Sequence, residues 1–311
     1  MEQKIIYMPI KIIFPFLFVF LFPPCYAQYQ EKNEISISAG GGYSTLFYYL
    51  HNVPGGKLTP GYGGVTGLGY TFFFNNNIGI GTGAEIAMYN SKFSIEEFSD
   101  KYLSFDGEED FEFRYTVTGY TERQNLFAIQ VPLFLQFQFP LLSDEHLAYI
   151  ALGGRIGFPL HSTYRSSADS YKTSAYYPQY DALLETPSSQ GLGTFNNRSY
   201  KDEIQIRSRN NHLYMLSAEI GMKWMISDNF SLYTGIYCDY SIYDIYKDRQ
   251  ADSFLKYSDK DPASLPNRSI LYSLYYPDNF RDAFTGRVFP HALGLKIRLA
   301  FRFPNKNNCC F

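Results

Sequence analysis

Residues 291–303 alternate without a break. Leu293, Leu295, Ile297, Leu299, Phe301 and Phe303 form one wholly apolar row, while Ala292, Gly294, Lys296, Arg298, Ala300 and Arg302 form a row of small and cationic side chains. Period two marks a strand, because successive side chains point to opposite faces. An apolar row of this length matches the ~9 to 11 residues that a tilted strand needs to cross a hydrocarbon layer. The same alternation recurs at 34–44, 62–74, 78–90, 126–139, 147–158, 213–226 and 230–246. There Ile35, Leu68, Ile80, Val131, Leu152, Ile220 and Leu232 belong to apolar rows that oppose Ser, Gly, Gln or charged positions.

The connections between these eight segments alternate in length. Short ones, such as Asn75-Asn76-Asn77 and Ser227-Asp228-Asn229, follow the second, fourth and sixth segments, and long ones follow the first, third, fifth and seventh. Soluble domains seldom carry structureless loops beyond ~12 to 15 residues, whereas outer-membrane barrels keep short turns at the periplasmic rim and long loops outside. The pattern therefore predicts an all-β chain, an eight-stranded antiparallel up-and-down transmembrane β-barrel with short periplasmic turns and long extracellular loops. Counting 111–119 as its own strand gives a ten-stranded alternative. Turning the apolar rows inward gives a soluble, lipocalin-like one.

With the apolar rows facing lipid, the other rows line a lumen. They bring Arg155, Lys223, Lys296, Arg298 and Arg302 together with Glu85, Glu219 and Asp239. Unpaired charges in a narrow interior are costly, so a linked ionic network with Gln130, Gln136 and Gln138 is expected. Eight strands leave an interior just filled by side chains, which makes the network a plug; the inward glycines leave a small water path as the alternative. On the lipid side, Tyr70, Phe72, Phe137, Phe139, Trp224, Phe301 and Phe303 all fall near the short-turn rim, as a periplasmic aromatic girdle would.

Composition adds detail. Tyr 29, Phe 28 and Gly 24, with a mean hydropathy of -0.23, suit strands and polar loops better than the long apolar runs of a helical membrane protein. A net charge of -3 offers no basic excess, so nucleic acid is not an expected partner. At the front, Lys4 and Lys11 precede an apolar run at 12–22, Pro23 and Pro24 break it, and Cys25-Tyr26-Ala27 supplies small residues for cleavage. A signal peptide at 1–27, a barrel domain at 28–303 and a tail at 304–311 are expected; acylation at Cys25 is the alternative. Cys238, Cys309 and Cys310 make no disulfide framework.

Residues 126–136, an alternating strand with Pro132 inside it, and residues 294–303 resemble segments of the OmpA-type and PorT-like outer-membrane β-barrel domain family. The resemblance implies an outer-membrane barrel, and some members of that family assist protein secretion or envelope assembly. Expected partners are outer-membrane lipid, the barrel-insertion machinery, and a surface ligand or envelope protein held by the loops. Those loops carry Tyr164, Tyr171, Tyr176, Tyr177, Tyr180 and Tyr200, then Tyr257, Tyr272, Tyr275 and Tyr276. Tyr among Ser and Asn suits recognition and equally suits a loop packed on itself.

Chemistry is thinly represented. His161-Ser162, Asp169-Ser170, His212 and His51 lie in or beside the long loops, and a rim enzyme acting on lipid or peptide is the rival to a non-enzymatic reading. No Cys or His pair has metal-ligand spacing, the acidic run 106–112 reads as a solvated loop with a divalent-cation site as the alternative, and no cofactor is expected.

Overall fold

A computed structural model describes residues 33–303, apart from 52, 142, 205, 207–210, 247–251, 259, 262–263 and 276–281. The expected signal peptide, the 304–311 tail with Cys309 and Cys310, and Tyr276 lie outside the described residues. Fourteen strands follow in order: β1 (Asn33–Leu50), β2 (Lys57–Pro60), β3 (Tyr62–Phe73), β4 (Ile78–Phe105), β5 (Asp110–Leu141), β6 (Ser143–Tyr177) and β7 (Ala182–Leu184), then β8 (Gly193–Glu203), β9 (Leu213–Met225), β10 (Phe230–Ser241), β11 (Asp252–Ser253), β12 (Ser273–Tyr275), β13 (Asp282–Ala283) and β14 (Thr285–Phe303).

Eight of them close a ring. β1 pairs with β3 on one side and β14 on the other, and the order β1-β3-β4-β5-β6-β9-β10-β14 returns to its start with every neighbour antiparallel. Closure removes the unpaired strand edges that a flat sheet would expose to lipid. The segment 111–119 lies inside β5, so the ring has eight strands and the ten-stranded alternative falls. Short turns close on themselves: Asn75 Oδ1 accepts from the amides of Asn77 (2.9 Å) and Ile78 (2.7 Å), and the Phe74 amide reaches the Ile78 carbonyl (2.9 Å). Asn favours such turns because its side chain mimics a backbone carbonyl.

The rows face as the alternation requires. In β14, Leu295 and Ile297 are 69% and 56% exposed, while Lys296 and Arg298 are each 6% exposed. The same holds in β1, where Ile35 and Ile37 face out and Glu34, Ser36 and Ser38 face in. A soluble barrel would have these rows reversed. Where β4 and β5 meet, Gly81 stands opposite Phe134, whose inward ring covers the space a β-carbon on Gly81 would need.

The long connections differ from the expectation. β4, β5 and β6 run on past the barrel as one sheet, so the acidic connection after residue 90 is a hairpin closed at 106–109, and much of the stretch after 158 is strand. The reason lies in which row is apolar. Within the barrel the apolar residues face out; beyond it Phe93, Ile95, Phe111, Phe113, Tyr115, Val117 and Tyr120 face in and are buried, while Lys92, Arg114, Thr116 and Arg123 face out. Gly119, at φ 64, sits at a break in pairing where a β-carbon would collide with the Asp169 carboxylate.

The inward apolar wall is covered by the chain between β10 and β14. Phe254, Leu255, Ile270 and Leu271 are buried against it, with Phe254 edge-on to Phe98 (5.1 Å) and Tyr120 (5.0 Å). The Tyr102 hydroxyl donates to the Leu255 carbonyl at 3.0 Å. The described residues of this connection form a folded cap over the mouth of the barrel.

Candidate functional site

The lumen holds three tiers of charge. At the short-turn end Glu34, from β1, accepts from Lys223 Nζ (2.5 Å) and from the Tyr233 hydroxyl (2.6 Å), with Arg302 Nε at 3.4 Å. In the middle, Glu219 accepts from the Tyr149 hydroxyl (2.6 Å), and Arg298 donates to Gln136 Oε1 (2.8 Å) while lying 4.0 Å from the centre of the Tyr233 ring. Towards the outside, Glu85 binds Lys296 Nζ (2.7 Å) and the Arg155 guanidinium, whose Nε also meets Asp239 at 2.9 Å. Lys296 links this tier to Glu219 at 3.5 Å.

All eight charged residues singled out in the sequence, Glu85, Arg155, Glu219, Lys223, Asp239, Lys296, Arg298 and Arg302, are therefore brought together. Glu34 completes the set and was missed. It shares a row with Ser36, Ser38 and Gly40, and extending that row by one step was the signal that would have found it. Gln138 reaches Lys223 Nζ at 3.4 Å, and Gln130 donates to the Tyr89 hydroxyl at 2.6 Å. Side chains fill the interior: the cavity among Ser36, Ser38, Glu85, Arg155, Glu219 and Lys296 measures about 30 Å³, space for a water molecule or two and no more.

Above the lumen, the cap is held by a carboxylate with only neutral donors. Glu122, fully buried, accepts from Ser269 Oγ (2.5 Å), Tyr120 (2.6 Å), Gln124 Nε2 (2.7 Å) and the Ile270 amide (3.0 Å). Burial lifts its carboxyl above the usual carboxylate range against the pull of these donors. Gln124 in turn accepts from Tyr48 (3.0 Å) and Ser91 (2.8 Å). Several loop tyrosines serve this interior: Tyr164 and Tyr171 are buried, Tyr164 donating to the Asn267 carbonyl (2.8 Å), and Tyr275 donates to the His51 carbonyl (2.6 Å). Tyr257 packs on Phe111 at 5.0 Å. Tyr180 stays exposed at the far tip. Of the two readings of these residues, internal packing accounts for most of them.

The catalytic candidates are not assembled. His161 faces out, 3.9 Å from Glu203, whereas Ser162 faces in and donates to the Ile204 carbonyl. Asp169 is exposed, His212 packs edge-on to Phe158 at 5.3 Å, and His51 sits 3.9 Å from Asp282. In the acidic turn, Asp106 accepts from the amides of Glu108 and Glu109, each at 2.8 Å, and from Tyr177 (2.7 Å), which holds its carboxyl below the usual range. It closes a hairpin, and among the described residues no group of three potential metal ligands forms.

On the outer surface, Tyr70, Phe72, Phe137, Phe139, Trp224, Phe301 and Phe303 lie on lipid-facing rows at the short-turn rim. A second aromatic row, Tyr43, Tyr62, Phe127, Phe158, Tyr214 and Tyr240, circles the other end, each ring facing out. Phe230, packed on Phe301 of the rim row at 5.0 Å, and Tyr240 are ten steps apart on β10, and at ~3.4 Å per residue and a tilt near 45° the rows stand about 24 Å apart, the height of a lipid-facing band. The chain is an outer-membrane β-barrel.

Solved structures similar to it include the outer membrane protein OprG from Pseudomonas aeruginosa, with 10% identity over 89% of this chain and 98% of that one and a TM-score of 0.37. Neisserial surface protein A matches at 10% identity over 87% and 96%, with a TM-score of 0.32. Ail, the attachment invasion locus protein of Yersinia pestis, matches at 12% identity over 88% and 99%, with a TM-score of 0.27. No protein-family model and no curated protein matches the chain.

Proposed function

We propose that this barrel neither conducts nor catalyses, and acts as a structural and binding element of the cell envelope that holds a rigid β-sheet above the membrane. The observation that carries the reading is double closure. Nine charged side chains fill the lumen, and a packed apolar cap covers its mouth. From Phe127 to Phe111, β5 continues for about 50 Å along the strand at ~3.4 Å per residue, and the tip of the sheet exposes Leu103, Phe105, Tyr180, Leu183 and Leu184. Exposed apolar residues at the end of a rigid stalk favour contact with another envelope component. The resemblance of residues 126–136 and 294–303 to OmpA-type and PorT-like domains supports the same reading, since some of those domains act in secretion or envelope assembly.

Planar-bilayer recording on the refolded full chain tests the closure. No discrete current steps are expected in 1 M salt at neutral pH. Steps that recur in every preparation would overturn the proposal, and steps that emerge only when the cap residues Phe254, Leu255, Ile270 and Leu271 are replaced by serine would assign the seal to the cap.

A further inference from the structure

The outward face of the extramembrane sheet carries cations in one line. Lys92 on β4 pairs in register with Arg123 on β5, Arg123 with Arg165 on β6, and Arg165 with Lys201 on the edge strand β8. Lys57 on β2 joins them one rung further out, opposite Ser94. Strands lie ~4.8 Å apart, so the row of four spans about 14 Å. Arg123, Arg165 and Lys201 are exposed and Lys92 is half-buried. None of the four has an ion-pair or hydrogen-bond partner among the described residues.

Like charges directly opposite one another across a sheet are destabilising, and nothing in the fold requires them here. The rungs on either side are neutral but for two residues: Lys57, Ser94, Thr121, Ser167 and Ser199 above, and Asn90, Asn125, Thr163 and Glu203 below, with Glu203 beside His161. Glu96 and Glu97, both exposed at the break in pairing after Ile95, lie further out on β4. The height of the row is also informative. Arg123 is four residues along β5 from Phe127 in the outer aromatic row, which at ~3.4 Å per residue and the tilt of a barrel strand puts it about 10 Å above the hydrocarbon, at the level of lipid headgroups.

We infer that Lys92, Arg123, Arg165 and Lys201 form a binding site for the phosphorylated headgroup of an outer-leaflet glycolipid. Charge complementarity commits the site to an anion, and its position beside the lipid band commits it to an anion anchored in that leaflet. Serine, threonine and asparagine on the flanking rungs supply donors and acceptors for sugar hydroxyls. The two arginines at the centre suit phosphate, which they grip bidentately. The site lies outside the lumen and is independent of whether the barrel conducts.

The test uses the full chain in phosphatidylcholine nanodiscs titrated with bis-phosphorylated lipid A, and the variant Arg123→Gln/Arg165→Gln/Lys201→Gln beside it. The variant is expected to bind on the order of a hundredfold more weakly, from the contribution of each cation near a membrane surface. Wild-type binding should weaken steeply with added salt, and dephosphorylated lipid A should not bind. The variant should unfold at the same temperature as wild type or higher, because relieving like-charge repulsion does not harm the sheet. Equal binding by variant and wild type overturns the site. Equal competition by inorganic phosphate overturns its assignment to a membrane-anchored ligand, and equal binding of phosphatidylglycerol overturns its assignment to a glycolipid.

Discussion

Replacing Glu34 by glutamine keeps the shape of the side chain and removes the only carboxylate that Lys223 meets among the described residues. Lys223 is 1% exposed, and its remaining acceptor is Gln138 Oε1 at 3.4 Å. Arg302 loses its nearby carboxylate in the same change. Stranding a buried charge by removing its partner costs about 3 to 5 kcal/mol, so Glu34→Gln is expected to lower unfolding stability by that amount. Glu85→Gln is the internal control, because Arg155 keeps Asp239 at 2.9 Å and Lys296 keeps Glu219 at 3.5 Å; about 1 to 3 kcal/mol is expected there. Adding Lys223→Met to Glu34→Gln removes both charges and should restore most of the loss. Urea unfolding of refolded protein in lipid vesicles, followed by the fluorescence of Trp224, the chain's single tryptophan, gives all four stabilities. If Glu34→Gln costs under about 1 kcal/mol, or less than Glu85→Gln, the network is not carrying charge in the paired form described.

Further expectations concern the wall and the cap. Gly81→Val would drive the Phe134 ring from its seat, at a cost of about 1 to 3 kcal/mol, read in the same urea assay; an unchanged midpoint would show that the ring has another place to go. Glu122 binds a proton more tightly folded than unfolded, so its contribution to cap stability is full below the ordinary carboxylate pKa and declines as pH rises through the raised value. Amide exchange at Ile270, corrected for the intrinsic rate, should be slower at acid pH than at neutral pH, and the reverse order would mean the carboxylate is better solvated than its burial implies. Tyr115 and Tyr120 are also raised by burial and by their carboxylate neighbours Asp100 and Glu122. Their ultraviolet ionisation signal should stay absent above pH ~10 until the extramembrane sheet unfolds; smooth titration of a folded sheet would contradict the packing.

The barrel was legible in the chain because its two solvents differ so much. Lipid outside and a charged lumen inside impose period two with opposite chemistry on each row, and residues 291–303 carry that contrast in full. Three short turns and the even count of strands then followed. Glu34 escaped because it is the first residue of segment 34–44, and the small polar side chains that follow it on the same row, Ser36, Ser38 and Gly40, carry no charge that would mark the row as part of the ionic network. The outer aromatic row escaped because Tyr43, Tyr62 and Tyr214 stand at the far ends of segments 34–44, 62–74 and 213–226, and only the register between strands brings them to one level.

Sequence by itself determined the membrane-spanning ring: which segments pair, which face meets lipid, and which charges must find one another. Only the tertiary structure decided how far β4, β5 and β6 extend and what covers them. Above the bilayer the solvents exchange places, so the apolar row becomes the inner one and the polar row the outer one, while the backbone continues unchanged. A reading tuned to outward apolar residues sees the strand end at that point. What makes Phe111, Phe113 and Tyr115 inward-facing is the apolar surface of Phe254 and Tyr257, more than a hundred residues away, and no local pattern contains that contact.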